Sequence, residues 1–208
     1  MNTKERIWRE ALGLFSQRGY EGVSVRDIAA AVGVRESALY RHYQNKQEIY
    51  DHILMQYAEH MMHFFMQMQL TGESGAFVEG EYAADLFGNM AEHEIGEAGR
   101  QIFHFFFCDD LSAKVRRMLT IEQFKNKQTA QLFRKISFDD ALNYQSKIFE
   151  QMISRGLFRP ADPYIMAVHF VSPIFLMFYK FDADDEGLAQ AEVLVVEHIK
   201  QFSRIYAP

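Results

Sequence analysis

Apolar residues recur along this chain with the period of an α-helix, beginning close to the N-terminus. The first apolar face consists of Ile7, Ala11, Leu12 and Phe15. Gly19 follows this face, and a glycine commonly takes the left-handed conformation that ends a helix. Tyr20 comes next, at the place where such an ending would bring it against Phe15. The pattern predicts a first helix that ends just before Gly19.

Two shorter helical patterns follow, separated by a single glycine. Ser24 and Asp27 have the spacing of a capping box, in which each side chain accepts the backbone N–H of the other residue. A second helix is therefore expected to begin after Ser24. Gly33 separates it from a third helix, expected over residues 35–43, in which Leu39 and Tyr43 point inward. A lone glycine between two short helices is typical of a helix-turn-helix.

The rest of the chain keeps the helical period with few interruptions. A long fourth helix is expected from about residue 46 to about residue 70, after an Asn45 cap. Gly156 has the position of a helix end, and Asp162-Pro163 that of a helix start. Further helices are expected near 77–92, 96–110, 113–134, 137–155, 162–180 and 185–206. We therefore expect an all-α protein of about nine helices, with one domain over 1–46 and a second over 47–208.

The composition favours a protein of the reducing cytoplasm. Cys108 is the only cysteine of the 208 residues, so an internal disulfide is impossible. The N-terminus carries no apolar signal run. The longest apolar stretch, residues 165–179, is shorter than the roughly 20 residues that span a bilayer, so we expect a buried helix there and no membrane association.

The charge is unevenly distributed between the two expected domains. Residues 1–50 contain eight Lys and Arg against six Asp and Glu, a net charge of +2. Because the whole chain carries −6, the remainder carries −8. A basic head attracts phosphate and an acidic body repels it, so only the N-terminal end is expected to approach a nucleic acid.

The residues of this head resemble the DNA-binding domain of the TetR family of regulators. The likeness lies in the run VSVRDIAAAVGVRESALYRHYQNK, residues 23–46, and in LFSQRGY, residues 14–20. Many positions agree in order over about the first 50 residues. Beyond them the likeness is one of size and helical character, with a weaker similarity from Tyr144 to Phe178. It implies an all-α fold with an N-terminal three-helix DNA-binding domain and a C-terminal helical domain for ligand binding and dimerisation.

The resemblance also implies which residues touch double-stranded DNA. The third helix would enter the major groove, with further contacts from the second and fourth helices. The implied contacts are Ser24, Arg26, Arg35, Glu36, Ser37, Ala38, Tyr40, Arg41, His42 and Lys46. Arginine can pair bidentately with guanine, and glutamate can accept a hydrogen bond from cytosine. Arg35 departs from the family, in which many members carry Ser or Thr as a helix cap.

By the same resemblance, the chain is expected to be a homodimeric repressor, without a cofactor, that a small apolar effector releases from a palindromic operator. Expected dimer residues on the last two helices are Phe170, Ile174, Met177, Val193, Val196 and Ile199. Residues expected at the effector are Met61, Phe65, His93, Arg100, Phe103, His104, Phe107, Phe124, Tyr144 and Phe149. The alternative for both sets is ordinary packing inside the protomer.

The residues also bear on three other functions. His93-Glu94-x-x-Glu97 lacks the second histidine of a zinc-protease motif, so an enzyme is not expected. The pairs His104 with Cys108 and His60 with His63 have helical spacing for a metal sensor, but two ligands do not make a site. The acidic residue Glu36 on the third helix leaves open a helical interaction protein that has lost DNA binding.

Overall fold

The structure, a computed structural model, describes residues 2–71, 78–125, 127–182 and 185–208. Within these ranges the regular structure is helical, which confirms the all-α prediction. The helices are α1 (Thr3–Arg18), α2 (Val25–Val32), α3 (Glu36–Leu39), α4 (Lys46–Gln67), α5 (Gly80–Gly88), α6 (Glu92–Cys108), α7 (Asp110–Glu122), α8 (Lys127–Arg134), α9 (Asp140–Ser154), α10 (Pro163–Lys180) and α11 (Asp185–Tyr206). None of the described helices is long and apolar enough to cross a membrane.

The chain divides into two compact units. The N-terminal unit comprises Met1–Met68 and Asp110–Arg134, and the C-terminal unit comprises Gln69–Asp109 and Lys135–Pro208. Helices α4, α7 and α8 therefore pack with the first three helices, whereas the sequence pattern placed a boundary at residue 46. Periodicity could not show this grouping, because α7 joins the N-terminal unit from more than 40 residues further along the chain. The functional division at residue 46 stays a prediction.

The caps predicted for the short helices are confirmed. The Ser24 hydroxyl accepts the Asp27 N–H at 3.1 Å, and the Asp27 carboxylate accepts the Ser24 N–H at 2.8 Å. Gly19 and Gly33 both have a φ of 75°, the left-handed region that glycine tolerates without strain. The Phe15 and Tyr20 rings lie 5.4 Å apart, as the predicted helix ending requires.

The third helix is shorter than the sequence predicted. It covers only Glu36–Leu39, instead of residues 35–43. The carbonyl of Leu39 accepts the N–H of His42 at 2.9 Å as well as that of Tyr43 at 3.1 Å. The bond from His42 spans three residues instead of four, so the backbone tightens into a turn here. The core side of the segment is as predicted, with Leu39 and Tyr43 buried.

The long helix predicted over 113–134 is interrupted in the structure. Helix α7 ends at Glu122, a turn follows, and α8 begins at Lys127. A five-residue π-helical turn, Lys135–Asp139, then leads into α9. The predicted boundaries at Gly156 and at Asp162-Pro163 are confirmed, since Gly156 has a φ of 72° and Asp162 accepts two backbone N–H groups at the start of α10.

The C-terminal unit has two apolar clusters, each rich in phenylalanine. One cluster joins α5, α9, α10 and α11; its buried aromatic residues are Phe149, Phe158 and Phe202. The other joins α6, α10 and α11, and contains Phe103, Phe107, Phe178 and Phe181. Helix α10 takes part in both clusters, so its inward face is committed to the protomer's own core.

Helix α10 contains an internal proline, and a histidine of α11 forms a hydrogen bond to α10 near it. Pro173 has no N–H, so the carbonyl of His169 loses its usual partner within the helix. Next to it, the carbonyl of Phe170 accepts a hydrogen bond from Nε2 of His198 on α11, at 2.8 Å. Burial lowers the pKa of His198.

Candidate nucleic-acid interface

The turn between α2 and α3 is fixed by backbone hydrogen bonds and by one arginine. The N–H groups of Gly33 and Val34 donate to the carbonyls of Ala30 and Ala29, at 3.1 and 2.9 Å. The Arg6 guanidinium of α1 donates to the carbonyl of Val32, the last residue of α2. A cation at a helix C-terminus also interacts favourably with the helix dipole. These bonds set the direction in which α3 leaves the turn.

Helix α3 and the turn after it present a polar face to solvent. Its residues are Arg35, Glu36, Ser37, Tyr40, Arg41 and His42, all exposed, with Ala38 partly buried among them. In the described part of the chain these side chains make no hydrogen bond or ion pair with any other residue. The face is therefore available to a partner without breaking an internal interaction.

Helix α3 lacks a side-chain cap, as expected from an arginine at the position where many members of the family carry Ser or Thr. Arg35 occupies the N-cap position and its side chain makes no capping hydrogen bond. By contrast, Ser24 caps α2 and its hydrogen bonds lower the pKa of Asp27, so that this carboxylate stays ionised against the helix N-terminus. Arg26 is exposed beside it. The exposed cations of this surface, Arg26, Arg35 and Arg41, suit a polyanion.

Lys46 has partners that the sequence did not predict. Its ammonium donates to the carbonyls of Tyr20 and Val23, at 2.8 and 2.9 Å. It also lies 4.0 Å from the centre of the Tyr20 ring, the arrangement of a cation–π contact. The side chain thus ties the start of α4 to the loop between α1 and α2. Contact with a phosphate, as the family resemblance implies, stays a prediction for its remaining N–H.

The residues expected at an effector are divided between the two units. Met61 and Phe65 lie on α4 in the N-terminal unit, and Phe124 lies 85% exposed in the turn after α7. In the C-terminal unit, Phe103 and Phe107 stack with centroids 5.1 Å apart inside one apolar cluster. Phe149 belongs to the other. Their burial in packed clusters agrees with the packing alternative.

The polar residues expected at an effector lie on α6 and α9. Arg100 forms a bidentate pair with Glu97 and lies 3.8 Å from a carboxylate oxygen of Glu192 on α11. His104 Nδ1 lies 2.8 Å from the other oxygen of Glu192. These two residues therefore join α6 to α11. His93 is exposed, and burial raises the pKa of Tyr144 on α9 to about 12.

The candidate metal pairs gain no third ligand. Across the described residues there is no group of three His, Cys, Asp or Glu side chains placed to hold a metal ion. His63 lies 3.0 Å from the amide nitrogen of Gln67, and His104 faces Glu192.

The expected dimer residues lie mostly on the inner sides of their helices. Phe170, Ile174 and Met177 pack against the protomer's own cluster, and Ile199 is only 2% exposed. Val196 is partly buried, and Val193 is 62% exposed. The exposed apolar residues of α10 are instead Tyr164, Ile165, Leu176 and Tyr179. The helical period alone could not distinguish the two sides, because α10 is apolar on both.

Two residues that position this surface were missed from the sequence. Arg6 holds the end of α2, and the buried Glu122 of α7 accepts the N–H of Tyr20 at 2.8 Å. A glutamate in an amphipathic helix usually lies on the solvent-exposed side, and 102 residues separate Glu122 from Tyr20 in the sequence. Only the packing of α7 against α1 reveals its role.

Comparison with known proteins points to one family for the N-terminal part. Residues 7–53 match the family described as bacterial regulatory proteins, tetR family. Over 47 residues the chain is 45% identical to IcaR of Staphylococcus epidermidis, described as an HTH-type negative transcriptional regulator of the biofilm operon icaADBC. The match covers 23% of this chain and about a quarter, 25%, of that relative. Both matches are confined to the N-terminal part of the chain.

Solved structures share the fold over nearly the whole chain. A TetR-family transcriptional regulator from Mesorhizobium loti has a TM-score of 0.64 at 18% identity, over 99% of this chain and 97% of that one. AibR, solved in complex with isovaleryl coenzyme A and operator DNA, has a TM-score of 0.60 at 22% identity, over 94% and 96%. At these identities the likeness establishes the fold.

Replacing Lys46 tests, in the absence of DNA, whether the bonds of its side chain stabilise the fold. Lys46→Met removes two hydrogen bonds to carbonyls and one cation–π contact, so we expect the free energy of unfolding to fall by about 1–2 kcal/mol. Arg26→Met is the matched control, because it removes one cation from an exposed side chain with no such bonds. Urea unfolding measures both variants. Equal stabilities would show that the Lys46 bonds contribute nothing.

Proposed function

We propose that this chain, which belongs to the TetR family through the domain at residues 7–53, is a transcriptional repressor that binds a palindromic operator as a homodimer and leaves it on binding a small apolar effector. The observation that carries this proposal is the polar face of α3. Its arginines, serine and tyrosine are exposed without internal partners in the described residues, on a helix held by a buried core.

Base recognition in this proposal comes from Arg35, Glu36 and Arg41. Arginine suits guanine, and a glutamate discriminates by accepting a hydrogen bond from the amino group of cytosine. Ser37 and Ala38 are small, which lets the backbone of α3 approach the groove floor. Ser24, Arg26, Tyr40, His42 and Lys46 would position the head on phosphates. IcaR is described as a negative regulator, and its match over 47 residues supports the repressor role by analogy.

Selection from a pool of random duplexes tests this function. We expect the wild type to enrich one palindromic sequence and to lose affinity steeply with added salt. Tyr40→Ala should weaken binding to all duplexes alike, whereas Arg35→Ala and Arg41→Ala should each relax preference at one base pair, by about 1–3 kcal/mol. Arg9→Ala is the control, since Arg9 is an exposed cation of α1 outside the face. A wild type that retains no duplex, even at low salt, would refute the proposal.

The homodimer in this proposal uses the outer sides of α10 and α11. A single N-terminal domain makes few contacts with DNA, whereas the two domains of a dimer bind half-sites about 34–36 Å apart. Ile165, Leu176 and Tyr179 recur on one side of α10 and are 60%, 58% and 52% exposed. Val193 adds an apolar residue on α11. Exposed apolar residues in one row are typical of a surface that a partner covers.

A charge on this surface should separate the protomers. We expect Leu176→Glu to convert a dimer into a monomer, because two carboxylates would be buried about the two-fold axis without partners. Met55→Glu is the matched control, as Met55 is an apolar residue of α4 that is 48% exposed. Light scattering after gel filtration gives the masses. A dimeric Leu176→Glu variant would exclude this surface as the interface.

The effector in this proposal binds in the C-terminal unit. Its two aromatic clusters are buried, and burial raises the pKa of the Tyr144 phenol; both support an apolar environment around α6 and α9. AibR was solved with isovaleryl coenzyme A, so an acyl group is one chemistry to try. Effector and DNA would then weaken each other's binding by the same coupling free energy, typically about 1–3 kcal/mol.

Thermal unfolding in the presence of candidate effectors tests this part. Isovaleryl coenzyme A and uncharged aromatic lipophiles are the probes, and a binder should raise the melting temperature by about 2–4 °C for each kcal/mol of stabilisation. The same compound should release a bound duplex. A panel that leaves both the melting temperature and the duplex complex unchanged would count against an apolar effector.

A further inference from the structure

Glu122 at the end of α7 is a charged side chain buried within the N-terminal unit, with only 3% of its surface exposed. Its Oε1 atom accepts the backbone N–H of Tyr20 at 2.8 Å. The ammonium of Lys125 lies 3.4 Å from the same oxygen, but that lysine is itself 44% exposed. A buried carboxylate needs such donors, because its desolvation is costly without them. The bond to Tyr20 is thus a strong, charge-assisted one.

The loop that contains Tyr20 begins with a glycine, which lets α7 lie close to the loop backbone. Gly19 has a φ of 75°, and a Cβ at this position would collide with the Glu122 carboxylate and with the side chain of Ile121. Only glycine therefore allows α7 to approach this closely. The same loop ends at Ser24, the cap of α2.

The loop is also held from its other side. The Tyr20 carbonyl and the Val23 carbonyl both accept from Lys46, the first residue of α4. Tyr20 therefore donates its N–H to α7 and offers its carbonyl to α4. The Tyr20 ring packs against Phe15 of α1 and Tyr50 of α4, at centroid distances of 5.4 and 5.2 Å. One peptide segment thus links α1, α4 and α7.

We propose that Glu122 is a positioning residue for DNA binding: its carboxylate fixes the loop 19–23, and through that loop it sets the placement of α2, α3 and the start of α4. Helix α7 thereby influences the orientation of α3 through its packing against α1 and α4. The proposal rests on the proposed duplex binding, but the hydrogen bond itself can be tested without DNA.

Three variants separate positioning from general stability. Glu122→Met removes the acceptor at similar size, and Glu122→Gln keeps an oxygen that can accept from Tyr20. Thr120→Val is the control on the same helix, because it removes the bond from the Thr120 hydroxyl to the Arg116 carbonyl, which does not involve the loop. The probe is the duplex that the wild type selects.

We expect Glu122→Met to weaken duplex binding about tenfold, within the usual range of coupling between sites. Glu122→Gln should remain within about threefold of the wild type, since it retains a weaker form of the bond. Thr120→Val should bind as the wild type does. Hydrogen exchange of the Tyr20 amide should be slow in the wild type and in Glu122→Gln, and fast in Glu122→Met. If Glu122→Met does not fold, Glu122→Asp, whose carboxylate falls short of Tyr20, takes its place with the same expectation.

Each contrary result has a distinct meaning. Full duplex affinity in Glu122→Met, or equal losses in Glu122→Met and Thr120→Val, would overturn the positioning role and leave the proposed function intact. A Tyr20 amide that exchanges freely in the wild type would overturn the hydrogen bond. A wild type that selects no duplex would refute the proposed function, while the exchange rate would still decide whether Glu122 holds the loop.

Discussion

The structure of the candidate interface depends on the burial of Leu39 and Tyr43 beneath a helix of only four residues. A helix this short is unstable alone, because nucleation costs more free energy than one turn of hydrogen bonds returns. Burying an aliphatic and an aromatic side chain from this segment supplies stabilisation that its own backbone cannot. The exposed residues of α3 hold their places because the inward side is fixed in the core.

Polar interactions then set the angle at which this segment is presented. Arg6 holds the end of α2, Lys46 holds the loop before it, and Glu122 holds the same loop from α7. Each bond joins a charged side chain to a backbone group, so it constrains position more narrowly than apolar contact does. The geometry of the candidate interface thus depends on side chains outside its polar face.

In the C-terminal unit, the helical pattern of the sequence identified the helices but not which side of α10 faces solvent. Helix α10 is apolar around most of its circumference, so its period could not distinguish the core side from the solvent side. In the structure Phe170, Ile174 and Met177 are partly buried against the protomer's core, whereas Ile165, Leu176 and Tyr179 are exposed. Likewise, Arg100 and His104 were candidates for a ligand, yet both face Glu192.

The sequence by itself determined α1 and α2, the caps of α2 at Ser24 and Gly33, the start of α10 at Asp162, and the resemblance of the first 50 residues to one family of regulators. These features depend on neighbours within a few positions, where hydrogen bonding and side-chain period act directly. Only the tertiary structure decided that α7 packs with the head, that Lys46 serves the loop at Tyr20, and that Glu122 is buried beside it. Those facts join residues up to 102 positions apart, and no local pattern encodes which distant helix will cover a given face.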